Sequence, residues 1–123
     1  MSEQDLARTL SVEEVRHLAI DKESLPYRFT YDYQGHIFEM EIHYNSEGDF
    51  FTIDLSLLQN ELKTVLLRGE KLMLGQMLFE PLFYLDIETP PLMPWDFSRQ
   101  ALRCGWEEMD QIYLVVMDDD FVE

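Results

Sequence analysis

The stretch YRFTYDYQGHIFEMEIHYNSEGDFFTIDLS, residues 27–56, constrains this chain more than any other part of it. Apolar and polar residues alternate through three short runs, and a period of two is the signature of half-buried strands. Tyr27, Phe29, Tyr31 and Tyr33 fall on one face, with Arg28, Thr30 and Asp32 on the other. The run QGH then supplies a turn in which Gly35 can take positive φ. Phe38, Met40, Ile42 and Tyr44 line one face of the next strand, and Glu39, Glu41 and His43 line the other. NSEG closes a second hairpin, after which Phe51, Ile53 and Leu55 alternate with Phe50, Thr52 and Asp54. The pattern predicts an antiparallel β-meander. The fold class that follows is mainly β, a small antiparallel barrel or a strongly bent sheet.

The flanking segments are less regular. In SVEEVRHLAI, Ser11 followed by Glu14 has the spacing of a capping box, and Val12, Val15, Leu18 and Ala19 share a helical face. Residues 1–24 therefore read as an N-terminal extension, a short helix or an added strand. The β domain spans 25–117. After the meander, ELKTVLLRG and EKLMLGQ are two short runs broken at Gly69 and Gly75, and Thr64 and Val65 favour strand over helix. Pro81, Pro90, Pro91 and Pro94 exclude a continuous helix over residues 79–94. Within that region LFYLDI, residues 82–87, reads as a strand. WDFSRQALRCGW holds one helical turn or an irregular loop. Residues 110–117, DQIYLVVM, have the composition of a strand buried on both faces. DDDFVE, residues 118–123, forms an acidic C-terminal tail.

Charge narrows the function classes. Against 25 acidic residues stand 9 Lys and Arg, a formal net charge of −16. Direct binding to a nucleic-acid backbone by counterion release is disfavoured at that charge, as is adhesion to an anionic membrane. No window approaches the roughly 18 apolar residues of a membrane-spanning helix. The 46% hydrophobic content is enough to fill a core, so the chain is expected to be a soluble folded protein of the cytoplasm. A single cysteine, Cys104, leaves no intramolecular disulfide and no thiolate metal cluster to assemble.

Candidate chemistry is sparse. A nucleophile needs a base within hydrogen-bond reach, and only His17, His36 and His43 are present. No signature joins one of them to Cys104, which reads as a partly buried structural residue beside Gly105. Glu39, Glu41 and His43 project from one face of a strand and can ligate a divalent ion if a neighbouring strand adds a further ligand. A solvated sheet face is the preferred reading of that row. The DDD tail lacks the spaced loop of an EF-hand, and neither GxGxxG nor GxxxxGK[ST] occurs. No enzyme signature emerges, so the expectation is no catalytic residue, no cofactor and no metal.

The order of the pieces resembles the small baseplate plug domains of contractile-tailed phages. The resemblance is carried by an aromatic strand, a tight Gly turn, a strand ending HYN, then FFTIDLS, LLRG and LMLG, and finally MPWDFS, CGWEEMD and QIYLVVM. It covers roughly Leu25 to Met117. Residues 79–91 are more aromatic and proline-rich than the pattern, and residues 1–24 and the acidic tail lie outside it. The resemblance implies a non-enzymatic component of a virion tail, made in the host cytoplasm and assembled at the distal end of the tail tube. Its partners would be hub and tube proteins in a homo- or hetero-oligomeric assembly within a contractile injection system. The residues best suited to meet them are the aromatics Phe83, Tyr84, Trp95 and Trp106. A second reading follows from charge: an acidic inhibitor or immunity-type protein, with Glu39, Glu41, Asp118, Asp119 and Asp120 mimicking phosphates in a basic enzyme cleft.

Overall fold

A computed structural model describes residues 17–117 of the chain. Seven strands form two antiparallel sheets: β1 (His17–Ala19), β2 (Tyr27–Tyr33), β3 (His36–Asn45), β4 (Phe50–Gln59), β5 (Leu62–Lys71), β6 (Leu92–Asp96) and β7 (Ile112–Val116). The larger sheet has the order β2-β3-β4-β5 and the smaller one β1-β7-β6. The sheets do not close on each other, so of the two expected architectures the bent sheet describes the molecule and the barrel does not.

The meander forms as its alternation predicts. Tyr33 pairs with His36 across a two-residue turn, and Gln34 (φ 54) and Gly35 (φ 79) both take the positive φ such a tight hairpin requires. Phe38, Met40, Ile42, Phe51, Ile53 and Leu55 are fully buried, while Glu39, Glu41, Thr52 and Asp54 lie on the opposite, partly solvated face. Residues of the second sheet, among them Leu92, Ile112, Leu114 and Val116, complete the same apolar cluster. β7 carries burial on both faces, because Val115 is 1% exposed on the side away from that cluster.

Two local expectations change, one strand was not anticipated, and one open alternative is decided. The first run after the meander continues through Gly69 (φ 72), which sits in a β-bulge, and ends at Lys71, so LMLG of the second run forms no strand. The bulge frees the Gly69 amide, which donates to Asp54 Oδ1 at 2.7 Å. No strand forms over residues 82–87. A 3-10 turn at Glu80–Leu82 takes its place, with Leu82 N–H donating to Phe79 O and Phe83 N–H to Glu80 O. Local bonds of this kind use the groups a strand needs for its ladder. β6, hidden behind its proline, is an edge strand, the setting in which a sheet tolerates a residue without N–H. Lastly, His17–Ala19 takes the added-strand alternative and pairs with β7, whereas Ser11 and Glu14 fall outside the described residues. No helix among the described residues is long and apolar enough to cross a membrane.

Candidate functional site

Aspartates organise the loops that carry Leu102 and Trp106. Asp49, at the end of the β3–β4 turn, accepts from Tyr44 Oη at 2.6 Å, Arg103 at 2.6 Å and Trp106 N–H at 2.9 Å. The hydrogen bonds from Tyr44, Trp106 and Arg103 hold its carboxyl down at about 2. The same contact pushes the Tyr44 phenol up, because ionising it beside a carboxylate is unfavourable. Asp49 thus fastens the large sheet to the loop before η3, the 3-10 turn Glu108–Gln111. Asp96, 2% exposed at the end of β6, does the equivalent work for the preceding loop. It accepts from Ser98 N–H and Oγ, Gln100 N–H and Ala101 N–H within 3.0 Å. Burial raises its pKa, yet the hydrogen bonds from Ser98, Ala101 and Gln100 together outweigh burial and keep it lowered.

Lys22 closes this end of the molecule. Its Nζ donates to Trp106 O at 2.6 Å, lies 3.2 Å from Asp110 and sits over the Trp106 ring at 4.8 Å. Trp106 also packs on Tyr44 and Phe51, with ring centroids at 4.9 and 6.2 Å. Two clefts flank Asp49 and Arg103. One, of about 310 Å³, runs between Phe50, Lys71 and Leu102; the other, of about 540 Å³, is bounded by Tyr44, Trp106 and Glu108.

The aromatics singled out in the sequence do not form one patch on one element. Phe83 and Tyr84 follow the 3-10 turn after Phe79 and are exposed by 58% and 79%. Trp95 is half-buried on β6, opposite Tyr113. Trp106 is half-buried against the core. Sequence reasoning passed over Leu102, which is 92% exposed, and Leu62, which is 69% exposed. Leu62 carried a readable signal, since it directly follows the positive-φ pair Asn60 and Glu61 at the start of an edge strand. Leu102 carried none.

Chemistry-bearing groups are spread apart or already neutralised. Burial, with Glu108 adding to it, pushes the Cys104 thiol up to about 11, so it is protonated at neutral pH. The row Glu39, Glu41 and His43 divides. Arg28 lies 3.1 Å from Glu39 and 3.3 Å from Glu41, and Lys63 lies 3.4 Å from Glu39. His43 instead approaches Asp54 of β4 at 3.3 Å, and Glu41, His43 and Asp54 bring one ligand atom each within 4.8 Å of one another. Arg28, shared between Glu39 and Glu41, offsets part of the negative charge of this group.

A family model described as the cyanophage baseplate Pam3 plug gp18 matches residues 15–120. No curated protein matches the chain.

Proposed function

The chain belongs to the cyanophage baseplate plug family, and from that premise we propose that it is a non-enzymatic structural part at the distal end of a phage tail tube. The observation that carries the reading is the extent of the match. Residues 15–120 take in all seven strands, both sheets and the loops between them. Hub and tube proteins are the proposed neighbours, reached by shape and side-chain complementarity in the virion tail after synthesis in the host cytoplasm.

The surface suits this role. Phe83 and Tyr84 present adjacent aromatic side chains to solvent, and such residues gain most when a partner desolvates them. Trp95, along β6, and Trp106, beside the 540 Å³ cleft, are half-buried and would meet neighbours at separate, smaller contacts. A net charge of −16 selects basic neighbours and disfavours direct contact with nucleic acid or an anionic membrane. Glu39 and Glu41, the phosphate mimics of the inhibitor reading, face Arg28 and Lys63 within their own sheet.

Replacing the exposed pair tests the interface. A Phe83→Ser/Tyr84→Ser variant is expected to fold with stability within about 0.5 kcal/mol of the parent, as surface changes usually do. Its incorporation into tail particles, read by quantitative mass spectrometry, is expected to fall at least tenfold, the effect of losing about 1.4 kcal/mol of contact. Unchanged incorporation would remove these residues from the interface.

A further inference from the structure

We propose that the four-stranded sheet continues from one copy of the chain to the next, with β5 of one copy pairing antiparallel with β2 of its neighbour. The proposal deepens the baseplate reading and rests on it for the place where the assembly forms.

β2 and β5 are the two outer strands of that sheet. Hairpin geometry decides which backbone groups each edge presents. Tyr33 and His36 flank a two-residue turn and so form a hydrogen-bonded pair, as do Tyr31 with Phe38 and Phe29 with Met40. Arg28, Thr30 and Asp32 therefore aim their N–H and C=O away from β3. By the same rule Leu62 and Thr64, following the turn at Asn60 and Glu61, bond to β4. Lys63 and Val65 are left aiming outward.

Cross-strand rows connect the two edges. Asp32 lies opposite Ile37, Ile37 opposite Leu58, and Leu58 opposite Lys63. The next row runs Thr30, Glu39, Ser56, Val65. A second copy continued along these rows sets its Asp32 against Lys63 and its Thr30 against Val65. Those are the residues whose backbone groups point outward on both edges, so N–H meets C=O with no slip of register. About four backbone hydrogen bonds follow from two such pairs.

The side chains agree with that register. Lys63 meets an exposed aspartate, a favourable cross-strand charge pair. Leu62, 69% exposed in the single copy, comes to lie against Tyr33 of the neighbour, and Val65, 40% exposed, against Thr30. Strand direction fits too, since four alternating strands leave β5 antiparallel to β2. A lysine on an edge strand also serves as a guard against pairing, which makes the matched aspartate the deciding feature. The bulge beyond Val65 confines the contact to residues 62–65. Each copy offers β5 and receives on β2, so the contact is head-to-tail and repeats into a ring or an open chain.

Sedimentation velocity of the full-length chain over a concentration series tests this. The parent is expected to reach a multiple of its monomer mass. Asp32→Lys and Lys63→Asp should each weaken association at least about fivefold, and the double variant should regain it. Val65→Pro should abolish association with an unchanged melting temperature, since that N–H has no partner in the single copy. Thr64→Pro, by contrast, breaks the β4 ladder and should lower the melting temperature. A parent that stays monomeric at every concentration, or a double variant no better than either single one, overturns the pairing. If the parent is monomeric but Val65→Pro blocks entry into tails, the edge binds a different chain and the proposal fails in favour of that partner. Association in solution by a chain absent from purified tails would leave the pairing standing and defeat the baseplate reading instead.

Discussion

At the scale of single residues, Asp49 shows how one side chain can hold two elements. Its backbone lies at φ 56, where aspartate is among the few non-glycine residues tolerated. Three donors from β3 and from residues 103–106 converge on its carboxylate. The group ionises at about 2 in the folded chain against an ordinary 3.8. A depressed carboxylate stabilises the fold fully above the ordinary value, and that contribution is lost as pH falls through the folded one. Thermal melts should therefore show a loss between about pH 4 and pH 2 that is smaller in Asp49→Asn. The variant should also melt below the parent at pH 7; equal melting temperatures there would show that the contact holds nothing together. Glu70 has the opposite sign. Burial raises its carboxyl while it accepts from Phe79 N–H at 2.8 Å, so its ionisation opposes folding as pH rises.

At the scale of elements, the β5 bulge turns on Gly69. A Cβ there would meet no heavy atom within 4 Å, so the cost of adding one is conformational, not steric crowding by neighbours. Gly69→Ala is expected to lower stability by about 1 kcal/mol, read by urea denaturation with an unchanged m-value. A neutral result would mean that β4 and β5 can pair without the bulge. The elements also show what could be read in advance. β2, β3 and β4 were legible because each burial period is bounded by a turn motif that specifies its own geometry. β5 was legible in kind but not in length, because a glycine marks a bulge and a break with the same letter. Residues 82–87 have strand composition, yet Phe79 at φ 68 starts a 3-10 turn that no local pattern announces. β6 carries Pro94 and looked unlike a strand until its edge position was known. The aromatics were easy to nominate, but exposure depends on which sheet each one meets. Composition separates Phe83 from Trp106 in no way; packing does.

At the scale of the whole molecule, two open sheets share one apolar cluster, and polar fasteners at Lys22, Asp49 and Asp96 order the loops that join them. Exposed aromatics, exposed aliphatics and two open edges of a β-sheet on so small a chain are what a part of a larger body presents. Membership of the baseplate plug family supplies the body. The most direct test is an electron cryomicroscopy reconstruction of the parent phage tail. The account predicts density for the seven-stranded fold at the distal end of the tube, in contact with hub and tube proteins through the face that carries Phe83 and Tyr84. Tails fully assembled with no copy of this chain would contradict it.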